Sequence, residues 1–166
     1  PDSYSVATLA AGAAVAAVDA VLNGDARRAF VLARPPGHHA TPNRGMGFCL
    51  FNSIAIAAAH ALDRGLERVF ILDWNVHHGN GTQDAFYDSD RVFFCSIHQW
   101  PLYPGTGAVS ERGQGAGTGY TLNIPLRPGL GDDDYRRVVE ESVLPAAREF
   151  APDLVLVSAG FDAHEA

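Results

Sequence analysis

Cysteine is scarce: Cys49 and Cys95 are the only two in 166 residues, and no C-x-x-C spacing occurs. That argues against a disulfide framework and makes a reducing, cytoplasmic setting the expectation. No G-x-S-x-G elbow is present, which argues against a serine hydrolase. A P-loop and a complete G-x-G-x-x-G are missing too; GQGAGTG at 113–119 fails the spacing and reads as a flexible turn. Basic residues are few, 12 against 19 acidic ones, for a formal net charge of -7. A nucleic-acid-binding surface is therefore not expected, and cationic ligands are weakly favoured.

A long membrane span is also missing. The most apolar run, VATLAAGAAVAAVDAVL at 6–22, is short, carries Gly12 and Asp19, and has no basic leader. It reads as a buried Ala-rich helix ending at Asn23-Gly24, residues that favour a left-handed cap. NGT at 80–82 matches a glycosylation sequon and is discounted. The chain opens at Pro1 and stops at Ala166 after a charged pair, which reads as one domain, a fragment of a longer one.

What is present alternates between strand-like and helix-like patterns. AFVLA (29–33) reads as a strand. A helix at 53–64 follows, with Asn52 as N-cap and Gly65 past its end. Next come the strand 68–73, a short helix near 82–87, the strand 91–97, and a strand at 120–124. A helix over roughly 132–149 begins with three aspartates suited to the helix dipole, and Pro145 should kink or divide it. The strand 153–159 closes the order. Apolar strands separated by helices imply an α/β fold: a parallel sheet covered by helices on both faces.

In such a sheet ligands bind beyond the carboxyl ends of the strands. The residues leaving each strand here are chemically active types. RPPGHH delivers His38 and His39; Asp73 leads into Asn75, His77 and His78; Ser96 and His98 end the next strand; GFDAH delivers Asp162 and His164. Alone, each has a bland reading: a satisfied loop histidine, a helix cap, or, for His60 in its Ala-rich helix, a structural role. Convergence on one rim favours a site. Histidine with carboxylate oxygens is a zinc-like ligand set that leaves a position for water. A neighbouring histidine can take a proton and return it to a leaving amine, which is amide hydrolysis.

RPPGHHA, GFCLFN, DWNVHHGNGTQ, YPGTG and SAGFDAH, in this order, resemble the zinc-dependent histone deacetylase family, closest in texture to class II and acetylpolyamine-amidohydrolase-like members. The resemblance implies an arginase-like α/β fold and removal of acetyl groups from lysine side chains or polyamines. It implies zinc ligands at Asn75, His77 and Asp162, with one departure, since the family has aspartate where Asn75 stands. It assigns proton handling to His38 and His39, supported by Asp73 and Asn80. Gly47 and Phe48 fall in its substrate tunnel, with Tyr103 as the facing aromatic. It further implies structural potassium, one ion at Asp73 and Ser96 with main-chain oxygens of Asp73, Asn75, His77 and Ile97. A second ion would use main-chain oxygens near Phe86, Ser89, Val92 and Tyr120. The family's carbonyl-polarising tyrosine or histidine would lie past residue 166, and its amide-gripping loop before Pro1. Two rival readings stand beside this one: a weakly active acyl-lysine-binding protein, and a two-manganese ureohydrolase, which would want more bridging carboxylates.

Overall fold

The computed structural model describes residues 2–164. Four parallel strands form one sheet in the order β3-β2-β1-β4, with β1 at Val69–Asp73, β2 at Val92–Gln99, β3 at Thr121–Leu126 and β4 at Leu154–Ser158. Strand side chains alternate between two cores, as the period of two requires. Val69, Ile71, Val92 and Phe94 face the helices α1 (Ser3–Leu22) and α2 (Ser53–Asp63), meeting Val18, Ala57, Ala58 and Ala61. Phe70, Cys95 and Ile97 point the other way, onto Val143 and Phe150. Each fully buried Phe or Ile stabilises the fold by roughly 1.5–3 kcal/mol through area removed from water. The sheet is thus covered on both faces, as expected.

The alanines of α2 let α1 lie close against it. By length and composition α1 could cross a membrane. Here it packs on α2, and its Asp19 pairs with His60 and Arg64, so His60 is a structural histidine. Asn52 caps α2 by accepting from Ala55 N at 3.1 Å. The long helix divides before Pro145: α4 (Asp132–Val138) runs through a π segment, Val139–Val143, into α5 (Leu144–Phe150). A proline cannot donate within the helix and clashes with the preceding turn, and the widened turn accommodates it.

One expected strand does not form. Residues 29–33 are irregular, and Phe30 and Leu32 are 69% and 88% exposed. A strand needs a neighbour for its backbone groups, and among the described residues this segment has none. The glycine-rich stretch also differs from a free turn. Gln114 N donates to Tyr87 O at 2.8 Å, and a Cβ on Gly117 would collide with the backbone at Tyr87 and Ser89.

Candidate metal-dependent hydrolase site

The carboxyl ends of β1, β2 and β4 meet at one rim. Asp73 is the register partner of both Ser96 and Ser158, so its side chain sits at the centre of that rim, fully buried. Oδ1 accepts from Asn75 N at 3.1 Å, and Oδ2 meets His38 Nδ1 at 2.8 Å. Gly79 keeps this space open, since a Cβ there would strike Asp73 Oδ2. A buried carboxylate must be paired, and the imidazole of His38 does that.

His38 and His39 arrive from a loop instead of a strand. The N-terminus of α3 (Asn80–Phe86) holds that loop: Gly81 N and Thr82 N donate to His38 O at 3.0 and 3.2 Å. His39 Nδ1 lies 2.9 Å from Asn80 Oδ1, whose amide nitrogen faces Met46 Sδ. Because Asn80 Oδ1 only accepts, His39 carries its proton on Nδ1 and keeps the lone pair on Nε2. Asn80 is buried in this contact, which leaves the NGT sequon inaccessible.

The rings are 4.0 Å apart, and their environments drive them in opposite directions. Burial works against a charge on His38, but the Asp73 carboxylate and its hydrogen bond outweigh it and raise the pKa. Burial comes first for His39 too, the neighbouring His38 adds to it, and the pKa falls to about 4 despite Asn80. Near neutral pH His39 is therefore neutral. Titratable pairs pushed apart in this way divide acid and base roles between them.

Beside the pair, three donor atoms converge. His77 Nδ1 lies 3.1 Å from Asn75 Oδ1 and 3.1 Å from Asp162 Oδ2. Two ligands at zinc distances, subtending a tetrahedral angle, would be about 3.3 Å apart, so the spacing suits one shared cation. Among the described residues no group of three His, Cys, Asp or Glu side chains could hold a metal. The third donor here is an amide. Asn75 Oδ1 faces inward and accepts from His77 N at 2.8 Å, while its amide nitrogen abuts Gly160, where a Cβ would collide.

Tyr103 completes the rim, its ring 5.1 Å from that of His39 and 6.2 Å from that of His77. Gly47 and Phe48 adopt φ of 57° and 63°; a Cβ on Gly47 would strike the His39 ring, and Phe48 is 91% exposed. Asp73 and Ser96 are register partners, Ile97 follows Ser96 in β2, and Ser96 Oγ is 3.0 Å from His98 Nδ1. Phe86 O and Tyr120 O each accept a backbone hydrogen bond, from Ser89 N and Phe94 N, at the opposite side of β2 near Val92. Sequence reasoning missed Gln83, Thr106, Glu111 and Asn123, which join His78 behind the site. Gln83, Thr106 and Glu111 lie in a helix and a loop, where lone hydrophilic residues carry no periodic signal of burial, and Asn123 is a single polar residue within β3.

The fold and site define a parallel α/β domain with a tandem-histidine rim and a His-Asp-amide cluster at the carboxyl ends of its strands. A family model described as the histone deacetylase domain matches residues 1–166, and the chain belongs to that family. It is 54% identical over 161 residues to a "Probable deacetylase" of Archaeoglobus fulgidus, covering 97% of this chain and 45% of the relative. A "Histone deacetylase-like amidohydrolase" of Pseudomonas aeruginosa is 49% identical over 166 residues, covering 99% of this chain and 44% of the relative. The solved HDA15 HD domain superposes with a TM-score of 0.94 at 45% identity, over 96% of this chain and 47% of that one. The fold is therefore of the arginase/deacetylase type, and the chain spans about half the length of these relatives.

Proposed function

We propose that this chain carries the core of a metal-dependent amidohydrolase that removes acetyl groups from lysine side chains or polyamines. The observation that carries the reading is the tandem pair His38 and His39, oppositely partnered and oppositely shifted, beside the convergent atoms of His77, Asn75 and Asp162. Zinc held by those three would polarise an amide carbonyl and acidify a water. His39, neutral with Nε2 basic, takes a proton during attack. His38, held by Asp73, stabilises the charge that then resides on the pair and orients its neighbour. Tyr103 and Phe48 would flank the aliphatic stem of the acyl-lysine, leaving the amide to face the histidines. Potassium at Asp73 and Ser96 with main-chain oxygens of Asp73, Asn75, His77 and Ile97 would stiffen this rim, and a second ion at Phe86, Ser89, Val92 and Tyr120 would brace the start of β2. Two free, buried cysteines fit a cytoplasmic setting.

One observation favours a second reading, an acyl-lysine-binding protein with little turnover: the amide of Asn75 stands at a donor position where a carboxylate would neutralise the cation. Turnover of a fluorogenic acetyl-lysine substrate and of an acetylated polyamine, measured on the full-length protein with its metal content, separates the two. Metal-dependent acetate release supports the hydrolase. Saturable binding of acetyl-lysine without release supports the binder, and release of urea from guanidino substrates would overturn both.

A further inference from the structure

Behind the histidine pair a second set of polar side chains closes on itself through the loop that carries Tyr103. His78 places Nδ1 2.8 Å from Thr106 Oγ1 and Nε2 3.2 Å from Gln83 Oε1. Gln83 Nε2 donates to Glu111 Oε2 at 2.6 Å. The Glu111 carboxylate in turn accepts from Gly107 N at 3.0 and 3.1 Å and from Ala108 N at 3.0 Å. The ring of bonds thus runs from Thr106 through His78, Gln83 and Glu111 back into the loop. Its direction is determined. Gln83 Oε1 only accepts, also taking a bond from Asn123 Nδ2 at 2.7 Å, so His78 donates through Nε2 and accepts from the Thr106 hydroxyl. Glu111 is the one formal charge in the ring, and bonds to it are charge-assisted.

The loop has few bonds of its own. Pro101 and Pro104 have no N–H, and within the loop Gly105 N and Glu111 N donate to Leu102 O and Ala108 O. Gly107 sits at φ +96° with no room for a Cβ against His98 and His78, while its carbonyl faces His98 Nε2 at 3.0 Å. Gln83 lies one turn beyond Asn80 on α3, so the same short helix steadies His39 with one residue and the loop with another.

We propose that Glu111 is a positioning residue for acyl-lysine binding, fixing the 100–108 loop so that Tyr103 faces His39 and His77. The binding part rests on the deacetylase reading above; the anchoring part does not. The test uses the full-length protein with Glu111→Gln, which keeps the shape and removes the charge. Amide exchange at Gly107 and Ala108 should speed up by about tenfold or more while β1 and β2 stay protected. KM for an acetyl-lysine peptide should rise about tenfold, with kcat within about twofold. In Tyr103→Ala the added Glu111→Gln should raise KM no further, because the two changes act through one group. Should Glu111→Gln fail to fold, Gln83→Met removes one bond to the carboxylate and should show the same pattern in weaker form. Unchanged exchange at residues 107 and 108 overturns the anchoring. A KM effect that adds in full to that of Tyr103→Ala overturns positioning through Tyr103. A wild type that turns over no acetylated substrate sinks the deacetylase reading and the binding part with it, while exchange still decides the anchoring.

Discussion

His77 and Asp162 are 85 residues apart in the chain, yet His77 Nδ1 and Asp162 Oδ2 lie 3.1 Å from each other, with Asn75 Oδ1 equally near the same nitrogen. The trio carries one negative charge. An amide oxygen is neutral and a weaker donor to a divalent cation than a carboxylate. Asn75→Asp should therefore tighten zinc binding by tenfold or more, an order of magnitude matching about 1.4 kcal/mol. Zinc titration of both forms checks this, and equal affinities would show that the amide is an adequate ligand.

In the proposed reaction His39 provides the basic nitrogen, so its loss should act on turnover. His39→Ala in the full-length enzyme is expected to cut kcat by at least ~100-fold, the scale of losing a general acid or base. Near-full activity would assign the ring a purely structural role.

Asp73 is fully buried and holds both His38 and the Asn75 backbone. Removing one partner of a buried pair costs about 3–5 kcal/mol, and Asp73→Ala should lose stability on that scale in urea denaturation. In the milder Asp73→Asn, burial acts on His38 with less opposition, and its pKa should fall when followed by NMR. A His38 titration unmoved by Asp73→Asn would mean the carboxylate does not hold it charged.

Acid should weaken the fold through His39 and His78. Burial, together with neighbouring histidines, pushes both down to about 4 from 6.5. Between those values the unfolded chain binds more protons than the folded one, so stability falls as pH falls. His38 runs the other way: its raised pKa contributes stability that is complete below about 6.5 and is lost as pH rises through the folded value. Between pH 7 and pH 5 the two lowered histidines should cost roughly 1–2 kcal/mol each. His78→Gln should flatten the profile, and a stability unchanged from pH 7 to pH 5 would contradict the neutral assignment.

The local signals in the chain determined the alternating elements, the cap at Asn52, the division before Pro145 and the delivery of Asp73, His77 and Asp162 to strand ends, whereas His38 comes from a loop. Those features depend on neighbours in sequence: apolar periodicity, a capping side chain, a missing N–H. Only the tertiary structure decided the rest. Residues 29–33 have strand composition but no strand beside them, because pairing is a property of two segments. The sequence places His78 and His98 at strand ends without saying what they touch. The fold makes them anchors for the Tyr103 loop, since their partners Thr106 and Gly107 approach only when β2 and α3 are in place. Glu111 stands in no motif of the sequence. Its carboxylate gains its role from two backbone amides and Gln83, 28 residues away, a convergence that no local pattern encodes.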